Sequence, residues 1–261
     1  MIIRNHINVR DDLLLDGLRP VVRIMGQVEA SEENKVTIDF ADTHFVSPVF
    51  ALSLIVYFTK CGKMVSFQNV TDYLNLIGMS DGGIKPDQMR QTEFLAVLER
   101  YASKTYIPII DFAAGRNTDA KEVVSSIVES LIIRQLNIQP NVANGLKYMI
   151  DETLDNITEH SESDRGYIFA QAYPTKGFLD VCIADRGVTL LGSYQKLQGN
   201  EIVTDMEAIK AANRGISSKN LPDAENRGYG IRTSKGMLVD GLGGQYMMIS
   251  IKNYSNTPTI N

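Results

Sequence analysis

The segment YMIDETLDNITEHS contains an acid, an amide and an imidazole at four-residue intervals: Glu152, Asn156 and His160. In a helix, each step of four residues drifts by only about 40°, so the three side chains fall on one stripe. A carboxylate can take a proton from an attacking hydroxyl, and an amide oxygen is a neutral ligand that suits Mg²⁺. The spacing therefore indicates a helix that could face a metal ion and a phosphate chain together.

The same helix has a second face and a plainer interpretation. Its apolar positions predict a core face, made of Leu146, Ile150, Leu154 and Ile157. Its acidic residues could simply form a solvated face, made of Asp151, Glu152, Asp155 and Glu159. On this helix alone the solvated face is the more common outcome.

Two further patterns follow downstream. VCIADRG predicts a buried strand that ends in Asp185 and is followed by Gly187, and NRGYGIRTSKG predicts a helix that starts after Gly228-x-Gly230. A strand-end carboxylate can accept a hydrogen bond from an adenine amino group, and a glycine beside it lets the base approach the backbone. Glycines before a helix leave backbone N–H groups for phosphate.

Each of these patterns also has a local interpretation. A lone G-x-G before a helix is more often a turn, and a strand-end D-x-G is commonly a tight turn. Arg227, Arg232 and Lys235 could reach phosphates, but each could equally be a solvated cation. The functional interpretation depends on the three patterns occurring together and in this order.

In that order the chain resembles the GHKL ATPase superfamily, over residues 105–261. This superfamily includes gyrase-type topoisomerases, heat-shock chaperones and histidine kinases. The resemblance implies Mg²⁺ ligation by Asn156, adenine recognition by Asp185 and a general-base role for Glu152. It also implies nucleotide contacts at Gly187, Gly228 and Gly230, while His160 is part of the motif without an assigned role. The cofactors it implies are ATP and Mg²⁺.

The chain departs from the superfamily pattern at two places. Thr189 stands where D-x-G-x-G has its second glycine, and the late Gly-Thr pair of the family is not identified before Asn261. ATP binding is therefore better supported than fast turnover. The polar stretch 188–227 is the candidate ATP lid, and its composition predicts few core contacts.

Alternating strand and helix signals predict an α/β fold with three parts. Residues 1–88 form a βαβα unit that resembles a STAS domain, 89–104 a helical connector, and 105–261 the GHKL (Bergerat) domain, a mixed sheet covered by helices on one face. Ser47 precedes Pro48 where STAS-type antagonists have their phosphorylatable serine. It could be modified, but a helix N-cap is the favoured interpretation. The last strand is predicted at 245–253.

Composition narrows the class of protein. The chain has 261 residues and a formal net charge of -5 with no long basic run, which disfavours nucleic acid as the main partner. Cys61 and Cys182 lie far apart in apolar stretches, as buried thiols in a reducing cytoplasm would. The longest apolar run, 48–58, is too short to span a bilayer. We expect a cytoplasmic protein that does not bind a membrane.

Within the superfamily, no histidine lies between His44 and His160, so a phosphoacceptor helix of the histidine-kinase type is not expected. The chain is closest in kind to anti-sigma-factor serine kinases. The leading expectation is an ATP- and Mg²⁺-binding regulator, either a serine/threonine kinase or a slow ATPase, that switches between regulatory protein partners. A homodimer is compatible with this. The alternative is a non-catalytic nucleotide-binding or protein-interaction module.

Overall fold

The computed structural model describes residues 2–4, 14–115, 120–127, 133, 140–197, 199, 201–216 and 230–250. These residues form a mixed α/β protein, as predicted, and group into two compact units. The described part of the first unit lies within 1–112 and 166–186, and that of the second within 113–165 and 187–252. The division into 1–88, 89–104 and 105–261 stays a prediction. Among the described residues, no helix is both long and apolar enough to cross a membrane.

The first unit begins with a three-stranded parallel sheet in the order β1-β2-β3. Its strands are β1 (Ile2–Arg4), β2 (Lys35–Asp39) and β3 (Met64–Gln68). Around them in sequence come helices α1 (Leu14–Ala30), α2 (Pro48–Phe58), α3 (Asp72–Leu76) and α4 (Gln91–Tyr101). The βαβα order predicted for this region is confirmed.

Helix α2 is the apolar centre of this unit, and nearly all of its side chains are buried. Its N-cap is Ser47, whose hydroxyl accepts a hydrogen bond from the Phe50 amide at 3.4 Å, and Pro48 occupies the first turn. Both residues suit a helix start, because proline needs no N–H partner there and serine satisfies one of the free amides. The N-cap interpretation of Ser47 is confirmed.

A second sheet in this unit has the order β4-β5-β6. It consists of β4 (Tyr106–Ala113), β5 (Arg165–Tyr173) and β6 (Phe178–Asp185), and β5 and β6 pair as an antiparallel hairpin. The turn between them contains Gly177 at φ 73°, a conformation that glycine adopts without strain. In the register of the hairpin, Asp185 at the end of β6 stands opposite Gly166.

The described part of the second unit is helical. Its helices are α5 (Ala120–Ile127), α6 (Pro140–His160), α7 (Leu190–Gln195), α8 (Asp205–Asn213) and α9 (Gly230–Gly236), and α9 continues into a π-helical turn, Met237–Gly241. The strand predicted at 245–253 is not formed over 243–250. The N-cap predicted at Thr118, the helix beyond Ile127 and residues 251–253 lie outside the described residues.

Candidate functional site

Helix α6 positions Glu152 and Asn156, the acid and the amide of the four-residue stripe. Its apolar face is buried as predicted, at Leu146, Ile150, Leu154 and Ile157. Glu152 and Asn156 lie on the adjoining stripe and are half-buried. The stripe is therefore partly covered by protein, which a fully solvated acidic face would not be.

The Asn156 side chain bonds back to its own helix. Its Nδ2 donates to the Glu152 carbonyl oxygen at 2.8 Å. A carbonyl oxygen can only accept, so the amide nitrogen must be the atom that faces the helix backbone. The amide oxygen Oδ1 then points away from the α6 backbone, in the orientation that a hard cation or its bound water would need.

The Glu152 carboxylate lies against the first residue of α9. A Cβ atom at Gly230 would collide with Glu152 Oε2 and would stand 3.1 Å from Glu152 Cδ. The first and third sequence patterns therefore meet within one unit, with the carboxylate at the start of a helix. The helix dipole favours negative charge there.

Tyr148 lies one turn before Glu152 on α6. Burial raises the pKa of Tyr148 and the nearby Glu152 carboxylate raises it further, while Thr233 on α9 acts in the opposite direction.

Gly187 packs against the C-terminal end of α6. A Cβ atom there would collide with the Ser161 carbonyl oxygen and stand 2.7 Å from Ser161 Cβ. The next amide, Val188 N–H, donates to the same carbonyl oxygen at 2.6 Å. The local reason for glycine at 187 is therefore close approach of two backbone segments.

Thr189, the departure from D-x-G-x-G, has a structural role of its own. It is the N-cap of α7 with φ -67° and ψ 169°, and its hydroxyl accepts from the Gly192 amide at 3.3 Å. Because this backbone conformation is open to any L-residue, the position does not require glycine. A threonine here also satisfies one of the free N–H groups of the helix.

His160 is the last residue of α6. Its carbonyl oxygen accepts a hydrogen bond from the Ser193 hydroxyl on α7 at 3.2 Å, and its imidazole lies 3.9 Å from the Glu159 carboxylate. Through its backbone, His160 thus links the end of α6 to the helix that follows Gly187.

The prediction that the stretch 188–227 makes few core contacts is wrong for its described part, residues 188–197, 199 and 201–216. Residues on α7 and α8 pack into a small apolar cluster made of Leu191, Tyr194, Ala208 and Ala211. The Tyr194 hydroxyl also donates to the Ile216 carbonyl oxygen at 2.5 Å. Residues 217–229, including Gly228 and Arg227, lie outside the described residues.

The predicted site residues are therefore distributed as follows. Glu152, Asn156, Gly187 and Gly230 belong to the second unit, where Glu152 and Gly230 are in contact and Gly187 packs at the end of α6. Asp185 belongs to the first unit.

The described residues contain no group of three or more His, Cys, Asp or Glu side chains that could hold a metal ion on its own. Any cation at Asn156 would need most of its ligands from a bound molecule and from water, as Mg²⁺ on a nucleotide has. Comparison with protein-family models, curated proteins and solved structures found no match to this chain.

Proposed function

We propose that this protein is an ATP- and Mg²⁺-binding regulator of the GHKL type, with serine/threonine kinase or slow ATPase chemistry. One observation carries the proposal. The carboxylate of Glu152 meets the start of α9 at Gly230, while the Asn156 amide oxygen on the same stripe points away from the helix backbone. An acid, an amide and a glycine-led helix, drawn from the first and third sequence patterns, thus lie in one unit, with the acid against the start of the helix, which two unrelated local motifs would not require.

Asn156 fits a magnesium ligand because its nitrogen is already occupied and its oxygen is neutral. Mg²⁺ would neutralise phosphate charge. The Asp185 carboxylate would accept a hydrogen bond from the adenine amino group, with Gly187 two residues further along the chain. Gly228 and Gly230 would offer backbone amides to the phosphates.

In the proposed reaction, Glu152 acts as the general base. The oxygen of water or of a serine or threonine hydroxyl forms a bond to the terminal phosphorus, and the bond from that phosphorus to the leaving ADP oxygen breaks. The proton of the attacking hydroxyl passes to the Glu152 carboxylate. This role needs only that one carboxylate oxygen stays within reach of the nucleophile.

The finer fold assignment is part of the same proposal. The parallel βαβα segment in the N-terminal region would be a STAS-like domain, and the C-terminal region a Bergerat-type ATP domain. In that arrangement the regulator would work in the cytoplasm, by exchanging regulatory protein partners, and it could do so as a homodimer. The N-cap role of Ser47 gives no support to a phosphorylation switch at that serine.

A second candidate is a non-catalytic nucleotide-binding or protein-interaction module. It is favoured by the packing of the Glu152 carboxylate against Gly230 and by Thr189 serving as a helix cap. Nucleotide binding without phosphate release or phosphotransfer over hours would identify this alternative.

Isothermal titration calorimetry with Mg²⁺ and a non-hydrolysable ATP analogue tests the binding site. Asn156→Ala is expected to weaken binding at least about tenfold, as the loss of a metal ligand or its support commonly does. Asn213→Ala is the matched control, because Asn213 Nδ2 makes the same bond to the Ile209 carbonyl oxygen at 2.9 Å on α8. Equal binding by wild type and Asn156→Ala would refute the assignment.

Turnover tests the base. Glu152→Gln keeps the shape of the side chain and should retain the analogue while losing phosphate release or phosphotransfer by a factor of about 100 or more. Glu159→Gln, on the exposed side of the same helix, should keep wild-type turnover. A Glu152→Gln variant with wild-type turnover would remove Glu152 from the base role.

A further inference from the structure

Ser234 is a buried serine on α9 whose hydroxyl has no hydrogen-bond partner among the described residues. The residue is 5% exposed. A serine inside a helix can donate to the carbonyl oxygen four residues earlier, which here is that of Gly230, but Ser234 does not make this bond. Because an unsatisfied buried hydroxyl costs free energy, its burial indicates a partner that does not come from the described protein groups.

Ser234 lies on the stripe of α9 that faces α6. Along that stripe, Gly230 approaches the Glu152 side chain, and the Met237 Cε atom lies 3.6 Å from the place where a Cβ atom of Gly145 would stand. Residues 230, 234 and 237 are separated by four and three positions, so they share one helix face. The Ser234 side chain therefore lies between two places where α9 contacts α6.

The Ser234 hydroxyl stands about one helical turn from the Glu152 carboxylate. Glu152 Oε2 lies where a Cβ atom of Gly230 would be, and residues four apart on a helix have Cβ atoms about 5–6 Å apart. Helical side chains lean toward the N-terminus of their helix, so Ser234 leans toward Gly230. A water that bonds two oxygens joins atoms up to about 5.6 Å apart. The separation therefore fits one bridging water, while Ser234 and Glu152 make no direct bond.

We propose that Ser234 and Glu152 together hold the water that attacks ATP, so that water is the phosphate acceptor and the protein is a slow ATPase. The water donates one hydrogen bond to the Glu152 carboxylate and one to Ser234 Oγ, which leaves its lone pair for phosphorus. That lone pair forms the bond to the terminal phosphorus. The electron pair of the broken P–O bond leaves with ADP, and one water proton passes to Glu152.

The burial of Ser234 favours water over a protein hydroxyl as the acceptor. A serine or threonine of another protein would have to reach a hydroxyl that is 5% exposed and faces α6, whereas a water needs only the space of one oxygen atom. The inference rests on the proposed function, since the water needs both a base and a bound nucleotide. It narrows that function to hydrolysis and adds a residue that the superfamily resemblance did not assign.

Steady-state phosphate release by Ser234→Ala tests the proposal. We expect kcat to fall about tenfold, because the water loses one of its two anchors, while the affinity for the non-hydrolysable ATP analogue with Mg²⁺ changes by less than about twofold. The urea midpoint should not fall, since alanine removes an unsatisfied hydroxyl, whereas a purely structural role would lower it. Ser53→Ala is the matched control: it removes a hydroxyl that is likewise buried, on α2 of the first unit, and should leave kcat unchanged.

A crystal structure of the wild-type protein with Mg²⁺ and the analogue gives a readout that does not depend on the rate. It should show one water within about 3 Å of both Ser234 Oγ and a Glu152 carboxylate oxygen, and Ser234→Ala should lose that water. A structure without this water, a wild-type kcat for Ser234→Ala, or phosphate transfer to a protein hydroxyl without release to water would overturn this inference and leave the ATP site in place. A wild-type protein without nucleotide binding would overturn the proposed function as well.

Discussion

Substitution of Gly230 by alanine tests the contact on which the proposed site depends. The new Cβ would overlap Glu152 Oε2, the end of a side chain that can move. Overpacking costs about 1–3 kcal/mol, and a movable obstacle places the cost in the lower half of that range. Alanine also favours the helix by up to about 1 kcal/mol. The expected net effect is a loss of about 1 kcal/mol in the free energy of unfolding.

The same substitution should behave differently once the carboxylate is gone. In a Glu152→Ala background no Oε2 atom remains for the Gly230→Ala methyl group to meet, so the helix preference should dominate and stabilise by about 0.5 kcal/mol. The coupling free energy between the two positions is then about 1.5 kcal/mol, well above the scatter of independent sites. Urea unfolding followed by far-UV circular dichroism measures all four proteins of the cycle.

Gly26→Ala is the reference variant, because it measures only the free energy that alanine gains over glycine from its preference for the helix. Gly26 is exposed within α1, and no atom lies within 4 Å of the place where its Cβ would stand. This variant should gain up to about 1 kcal/mol. If Gly230→Ala stabilises as much as Gly26→Ala, or if the coupling falls below about 0.3 kcal/mol, Glu152 does not contact Gly230 and the reasoning fails.

Three further predictions concern the surroundings of the site and the hairpin. Gly187→Ala should lower the free energy of unfolding by about 3 kcal/mol, because the obstacle is the Ser161 backbone. This loss is larger than the one expected for Gly230→Ala, and equal urea midpoints for the two variants would contradict it. Thr189→Ala should lose about 1 kcal/mol of unfolding free energy, whereas Thr189→Gly should lose only roughly 0.3 kcal/mol, since glycine is tolerated at an N-cap. A larger loss for Thr189→Gly than for Thr189→Ala would argue against the cap. Burial raises the pKa of Asp180, so the folded state keeps this proton to higher pH than the unfolded chain. The free energy of unfolding should therefore fall as pH rises from about 4 through the raised pKa. Asp180→Asn should flatten that part of the pH profile. Asp81→Asn, at an exposed position, is the control and should leave the profile unchanged.

Elements set by local signals could be predicted from the sequence. The apolar run after Ser47-Pro48 became α2, with Ser47 as its N-cap. This element depends on a cap and a proline within a few residues. The strand predicted at 245–253 also had a suitable apolar run, but a strand forms only against a partner edge. That information is not local, and residues 243–250 form no strand.

Composition misled the interpretation of the stretch 188–227 for a related reason. Its average polarity is high, but Leu191, Tyr194 and Leu197 recur at three-residue spacing, and Ala208 and Ala211 offer a small flat helix face. These few apolar residues bury one another although the stretch as a whole is polar. A periodicity test over this stretch predicts α7 and α8, whereas an average over its composition does not.

The four-residue stripe was predictable because a helix fixes which side chains share a face. Which neighbour covers that face is a tertiary fact, and at Glu152 it is the start of α9 at Gly230.

The two described glycines of the proposed site owe their identity to packing. Gly187 approaches the Ser161 backbone and Gly230 approaches the Glu152 side chain, so a methyl group is excluded at both positions whether or not a nucleotide binds. Neither glycine therefore discriminates between a nucleotide site and a closely packed helix pair. Asn156 does discriminate, because its bond to the Glu152 carbonyl oxygen at 2.8 Å has a counterpart in the bond of Asn213 to the Ile209 carbonyl oxygen at 2.9 Å. Both alanine variants lose such a bond, so a nucleotide affinity that falls with Asn156→Ala and not with Asn213→Ala points to what the Asn156 oxygen binds.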